Sequence, residues 1–385
     1  MKILVISNRS TISGGEIVLQ RVFDENEEWS PMYFIPEGSY AGWLRGKGCS
    51  VTTSRRFRES GMLKEGRIRP LGYAVGFVFT SVALIRLCWN YRPEVIIGNG
   101  LGSSLYVLLL KVLFLARAWV IHHHPIFRTP VNFRERLIGL LLYPFGIISV
   151  SKAARKSLEL IGVQSRNVNV VYGGVDLMEF DPSLFTLNDF KRNHLIPIEI
   201  PIIVLPAAIT PWKGHVVFIK SLEVLAKRNL KAVGIICGEP LNGDDALYLE
   251  QLKKMARDCG MPVLFPGRIS PIQSIYRDAC VMVNASIEPE PLGAVTYEAM
   301  AMGVCVVGSA AGGTMEIIED GENGFLYPAP DVASLANRLE YLLKNENIRK
   351  SISRRARESV NLKFNIKKTC ACYKSLLTKA DGVVI

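Results

Sequence analysis

Acidic residues are in short supply in this 385-residue chain: 35 Asp and Glu stand against 46 Lys and Arg, a formal net charge of +11. Histidine is scarcer still, with five. The eight cysteines are scattered through apolar segments, and only Cys370 and Cys372 lie close together. A Cys-x-Cys with no second pair excludes a zinc ribbon. The pattern predicts a reduced chain without structural disulfides. The opening MKILVIS is strand-like from its second residue. It shows no basic segment, apolar core and cleavage site, so a cytoplasmic chain without a secretory signal is expected. Long apolar runs free of charge are lacking as well. LGYAVGFVFTSVALIRLCWN (71–90) contains Arg86, and LGSSLYVLLLKVLFLARAWV (101–120) contains Lys111 and Arg117. LIGLLLYPFGIISV (137–150) is too short, since a spanning helix needs about 20 apolar residues. The bland reading of all three is helices in a large core. No helix-turn-helix or aromatic-rich RNA signature accompanies the positive charge, which argues against nucleic acid as a partner.

What is present is organised. Apolar residues make up 49% and charged residues 21%, values of a globular chain and too apolar for disorder. The length suggests two domains. The positive surplus is local: residues 41–140 hold fifteen Lys/Arg and four Asp/Glu. Basic charge beside apolar helices predicts a face that rests peripherally on an anionic membrane.

Strand-like runs alternate with helical patterns, the mark of parallel α/β sheets. Strands are expected at 2–7, 31–36, 94–98, 118–123, 146–151 and 168–173. One helix is expected to follow Gly14–Gly15. Another starts near Ser151 and is closed by Gly162. After the polar stretch FDPSLFTLNDFKRNHLIPIEIP (180–201), strands resume at 202–208, 231–238, 262–267, 280–286, 304–309 and 324–328. The expectation is an α/β fold with domains at 1–185 and 200–365. The helical segment after 365 is placed back on the first domain.

EPEPLGAVTYEAMAMG (288–303) follows a strand, and open α/β sheets bind ligands at the carboxyl ends of their strands. Pro289 and Pro291 hold an extended loop, and Gly293 allows close backbone approach. The helix that follows offers bare N–H groups and a positive dipole end, suited to phosphate. Glu290 sits beside that guest. Glu298, one to two turns along, is a double acceptor for vicinal hydroxyls such as those of a ribose. Phosphate bracketed by acceptors for hydroxyls describes a sugar nucleotide. Taken alone, two glutamates flanking a helix start are as readily ordinary solvated acids. Lys213, in TPWKGH (210–215), stands at a strand-to-helix turn where a cation can neutralise a diphosphate. Gly238 of CGEP (237–240) and Arg268 of PGRIS (266–270) end neighbouring strands and are candidates to line the same site. Asp244 and Asp245 of the GDD at 243–245 read as a solvated loop.

The run VMVNASIEPEPLGAVTYEAMAMGVCVVGSAAGGTMEIIEDGENGFLYPAPD (281–331), with seven residues between Glu290 and Glu298, resembles the donor half of glycosyltransferase family 4. SGGEIVLQRVF (13–23), IISVSKAARKSLELIGV (147–163) and VVYGGVDLMEFDP (170–182) resemble its first half more loosely. The resemblance implies a GT-B fold, two Rossmann-like domains facing each other across a cleft, and a retaining, metal-independent glycosyltransferase. It implies no cofactor, only a nucleotide-sugar donor such as a UDP- or GDP-sugar. Glu290 would hold the donor sugar, and Pro291, Leu292 and Gly293 the sugar or diphosphate. Lys213 would pair with the diphosphate and Glu298 with the ribose. Gly14 and Gly15 would form a loop facing the reacting centre. A first-domain histidine near the transferred sugar would be His123, with His124 and then His122 as alternatives. Ala208 departs from the family, which tends to carry an arginine there; Arg268 or another cation would have to substitute. The implied acceptor is a glycan or lipid-linked glycan, in cell-surface polysaccharide or glycolipid synthesis. A UDP-sugar 2-epimerase of the same architecture and a non-catalytic sugar-nucleotide binder are the alternatives.

Overall fold

The computed structural model describes residues 1–54, 57, 70–114, 116–123 and 126–378. They divide into two compact units, one of Met1–Gly173 with the segment from Ile366 onward, the other Gly174–Asn365.

Unit 1 holds seven strands: β1 (Lys2–Ile6), β2 (Ser30–Ile35), β3 (Ser50–Thr53), β4 (Val95–Asn99), β5 (Arg117–His122), β6 (Gly146–Ser149) and β7 (Val168–Val170). They pair in parallel in the order β3-β2-β1-β4-β5-β6-β7. The buried strand side chains face two cores: Ile3 and Val5 pack with Leu19 and Val22, while Leu4 and Ile6 pack with Leu84 and Leu110. Burial on both faces explains why KILVI and VIIGN read as unbroken apolar runs. The short edge strand β3 has no counterpart among the expected strands. Its SVTT is polar and is preceded by the charged turn around Arg45 and Lys47, so it carries little strand signal.

The three apolar runs become ordinary elements. The first is the helix Pro70–Tyr91. The second breaks into a 3-10 turn Leu101–Ser103, the helix Ser104–Phe114 and β5. The third supplies the end of the helix Phe133–Leu142 and then β6. No described helix is long and apolar enough to cross a membrane. The helix Lys152–Leu160 is capped by Ser151, whose hydroxyl accepts from Ala154 N at 2.9 Å. Gly162, at φ +94°, supplies the left-handed turn that ends it.

The C-terminal helix Ile366–Thr378 completes the unit 1 core: Ile366, Cys370, Tyr373 and Leu377 pack among Leu19, Val22 and Phe23. Thr369 Oγ1 donates to the Tyr172 carbonyl at 2.9 Å, and Arg117 Nη1 to that of Leu377 at 2.7 Å.

Unit 2 holds β8 (Ile202–Pro206), β9 (Val233–Cys237), β10 (Val263–Gly267), β11 (Ala279–Asn284), β12 (Cys305–Ser309) and β13 (Phe325–Tyr327). All are parallel, in the order β10-β9-β8-β11-β12-β13. The unit begins at Gly174, earlier than the boundary at 185–200 that composition suggested. The polar stretch is part of this unit and no loose linker. Val175 N donates to the Phe364 carbonyl at 2.8 Å, and the amides of Asn188 and Lys191 both donate to the Asp278 carboxylate. The GDD is also not a loop. It opens the helix Gly243–Asp258, with Asn242 as cap and Asp245 buried under the Leu241 amide. Acids in a first helical turn are favoured by its dipole.

Candidate functional site

In unit 2 the strand order reverses between β8 and β11, the place where open sheets form a ligand crevice. The loops leaving these two strands lock together. Gly214 follows the 3-10 turn Pro211–Lys213 at φ +74°. A Cβ there would lie 1.8 Å from the Ala285 carbonyl oxygen, so only glycine allows the approach. The Ile287 amide donates to the Trp212 carbonyl at 2.9 Å.

This lock brings Lys213 and Glu290 together. Lys213 Nζ is 2.5 Å from Glu290 Oε1, with the side chains 18% and 4% exposed. The ammonium also sits 4.1 Å from the centroid of the Trp212 ring. Ser286 Oγ donates to the same carboxylate oxygen. The main chain of Glu290 is held too, its carbonyl accepting from Gly313 N at 2.8 Å. Pro291 and Leu292 are buried behind it. Gly293, at φ +88°, turns the chain into the helix Ala294–Ala301. Asn284 at the end of β11 donates to Thr296 Oγ1 at 3.3 Å and fastens the first turn of that helix to the sheet. A cation, a buried carboxylate and a helix N-terminus thus converge at one sheet edge.

Glu298 lies half-buried on the same helix. Burial, reinforced by the negative charge of Glu298, pushes the Tyr276 hydroxyl well above the usual tyrosine range. Gly238 follows β9 and lies against the Ala207 carbonyl, its amide donating to the Gly267 carbonyl at 2.9 Å. Arg268 is exposed after β10, two strands from β8. Ser286, Trp212 and Gly313 are additions to the expected set. Only Ser286 carried a sequence signal, a hydroxyl at a strand end four residues before an acid.

Unit 1 has its own cluster, at its own reversal point between β1 and β4. Gly14 and Gly15 are not a loop: the helix Gly14–Asp24 begins with them. Ser13 and Glu16 form a capping box, with Ser13 N donating to Glu16 Oε2 at 3.0 Å. That reciprocal cap draws both glycines into the first turn. A Cβ on Gly15 would lie 2.9 Å from the His123 ring, so the glycine gives the imidazole its room.

His123 Nε2 is 2.9 Å from Asn99 Oδ1. The Asn99 amide nitrogen donates to Glu16 Oε1 at 3.4 Å, so its oxygen is the acceptor and Nε2 carries the proton. Arg9 Nε stands 3.9 Å from the same glutamate. Burial lowers the His123 pKa; Glu16 opposes this and Arg9 adds to it. His122 points the other way, fully buried and stacked on Phe127 at 6.1 Å, as strand alternation requires. His124 lies outside the described residues. Among the described residues no His/Cys/Asp/Glu group is arranged to hold a metal ion.

Residues 188–359 match the sequence profile of the family described as glycosyl transferases group 1. That segment is similar to the family. The group 1 segment contains the unit 2 residues of the site, and the unit 1 cluster lies before it. An uncharacterized glycosyltransferase of Methanocaldococcus jannaschii is 31% identical over 242 residues, 59% of this chain and 59% of that protein. A D-inositol 3-phosphate glycosyltransferase of Corynebacterium kroppenstedtii is 28% identical over 190 residues, 48% of this chain and 42% of that one. The chain thus matches about half the length of these curated relatives. The crystal structure of Anabaena HepE in complex with UDP-glucose superposes with a TM-score of 0.84 at 20% identity, covering 98% of this chain and 99% of that one. Each of the two units has the Rossmann-like parallel sheet of a GT-B domain.

Proposed function

We propose that this chain is a glycosyltransferase that moves a sugar, with retention of anomeric configuration, from a nucleotide-sugar donor to a hydroxyl of a glycan or lipid-linked glycan. The observation that carries the reading is the buried Lys213–Glu290 pair beside the start of the helix Ala294–Ala301. Lys213 and the helix N-terminus stabilise charge on the departing diphosphate. Glu290, Pro291, Leu292 and Gly293 hold the sugar, and Glu298 the ribose. His123, kept neutral by burial, faces the transferred sugar. The acceptor hydroxyl attacks on the leaving-group face and passes its proton to the departing phosphate. The reading needs no metal ion, because lysine and helix dipole meet the diphosphate's charge.

Unit 1 supports a membrane-borne acceptor. The helices Pro70–Tyr91, Ser104–Phe114 and Phe133–Leu142 expose Phe79, Trp89, Val112, Phe133 and Leu140, with Lys111 and Arg134 beside them. We place the protein peripherally on the cytoplasmic face of a membrane, in cell-surface polysaccharide or glycolipid synthesis.

The Anabaena structure is titled as a UDP-glucose complex, which makes UDP-glucose the first donor to test. Incubation of radiolabelled donor with a lipid extract should give an α-linked, lipid-soluble product in wild type and none in Glu290→Ala. A 2-epimerised nucleotide sugar formed without acceptor would replace this reading with epimerisation.

A further inference from the structure

A cavity lies wholly within unit 2, at the amino-terminal ends of the strands, opposite the edge that carries Lys213 and Glu290. It measures about 900 Å³ and is roofed by the helix Glu346–Lys363, with the starts of β11 and β12 and the segment around Lys191 forming its walls. A volume of this size suits a small molecule.

Its charges are unbalanced. Six Lys or Arg side chains line it against three Asp or Glu. Two of those acids are already committed: Asp278 accepts the amides of Asn188 and Lys191, and Glu346 pairs with Lys350 at 2.7 Å. Of the cations, Lys350 takes Glu346 and Arg357 stands 3.8 Å from Asp181, while the other four have no ion pair among the described residues. Lys191 is 6% exposed, yet its ammonium donates to a neutral group, the Ile198 carbonyl. A buried ammonium without a carboxylate partner keeps unsatisfied donors and calls for an anion. Arg349 spends one N–H on the Leu342 carbonyl and Arg277 spends Nε on that of Phe185. Arg354 makes no hydrogen bond or ion pair with the described residues and follows Lys350 by one turn of the roofing helix, on the same cavity wall. Arg349, Lys191 and Cys280, the last at the start of β11, line the same cavity.

We infer that this cavity is a binding site for a phosphorylated sugar or a phosphomonoester of similar size, separate from the donor site. Guanidinium groups of Arg349 and Arg354 fork around the phosphate, the Lys191 ammonium completes its neutralisation, and the remaining volume takes the sugar. The site also touches the element that serves the donor edge: Arg357, on the cavity wall, donates to the Ala301 carbonyl that ends the helix Ala294–Ala301.

The test is thermal shift and calorimetry on the full chain with glucose 6-phosphate, inorganic phosphate and glucose. Glucose 6-phosphate should bind saturably and raise the melting temperature, inorganic phosphate should bind more weakly, and glucose should do neither. Arg354→Ala should weaken glucose 6-phosphate at least tenfold while melting like wild type, since the side chain is exposed and holds nothing in place. Arg349→Ala should weaken it further. Lys213→Ala, at the donor edge, should leave it unchanged. The inference is overturned by no saturable binding of either phosphate, by affinity that survives both arginine variants, or by loss in Lys213→Ala.

Discussion

Lys213 has one ammonium and two claimants. The structure gives it to Glu290 at 2.5 Å; a diphosphate leaving group would compete for it. Lys213→Ala should therefore weaken UDP binding at least tenfold, about 1.4 kcal/mol, whereas Glu290→Gln should bind UDP as well as wild type or better, because the competitor is gone. Calorimetry on the two variants checks this, and unweakened UDP affinity in Lys213→Ala would place the phosphates elsewhere. Two residues on, His215 makes a different prediction. It is fully buried, and burial, with the charge of Lys213 nearby, depresses its pKa to about 4. A base whose folded pKa falls below its unfolded value of about 6.5 binds its proton more readily when unfolded. Stability is then full above pH 6.5 and declines as pH falls toward 4, by about 2–3 kcal/mol for this group. Urea unfolding at pH 7 and pH 4.5 should show that loss in wild type and a smaller one in His215→Asn.

The elements that carry the site are joined by contacts too close for any side chain. Gly214→Ala would combine a left-handed φ with a Cβ 1.8 Å from the Ala285 carbonyl. It should destabilise by about 2 kcal/mol or more and lower donor affinity, because the two loops must part. Ser151→Ala removes a helix cap in unit 1 and should cost about 1 kcal/mol without touching UDP affinity; denaturant melts and calorimetry separate the two. How much could be read from sequence follows the same line. Strands buried on both faces, such as β1, β4 and β8, announce themselves as apolar runs, and Glu290, Glu298 and Lys213 stand in a recognisable spacing at strand ends. β3 is short, polar and at an edge, so it gave no such sign. The family resemblance implied a loop at Gly14–Gly15; the Ser13–Glu16 cap, plain in the same stretch of sequence, draws both into the helix instead. Gly313 serves Glu290 and Trp212 holds Ile287 through their backbones, and backbone contacts between distant loops leave no residue-type signature.

On the scale of the whole molecule, charge and exposed apolar surface fall in the same stretch of sequence. Arg55, Arg56, Arg58, Lys64, Arg67 and Arg69, part of that surplus, lie outside the described residues. Flotation with anionic vesicles should recover the protein at low salt and less of it at high salt, as screening shortens the attraction. Trp89→Glu with Leu140→Glu should abolish recovery at both; absence of binding by wild type at either salt would remove the membrane from the proposal. The placing of the helix Ile366–Thr378 in the core of unit 1 has a consequence for biosynthesis. As the polypeptide leaves the ribosome, the first 173 residues emerge without the piece that covers Leu19, Val22 and Phe23. Unit 2, continuous in sequence, can finish folding first, while the earlier-made unit waits with an apolar groove uncovered. That interval is when a chaperone would find this protein.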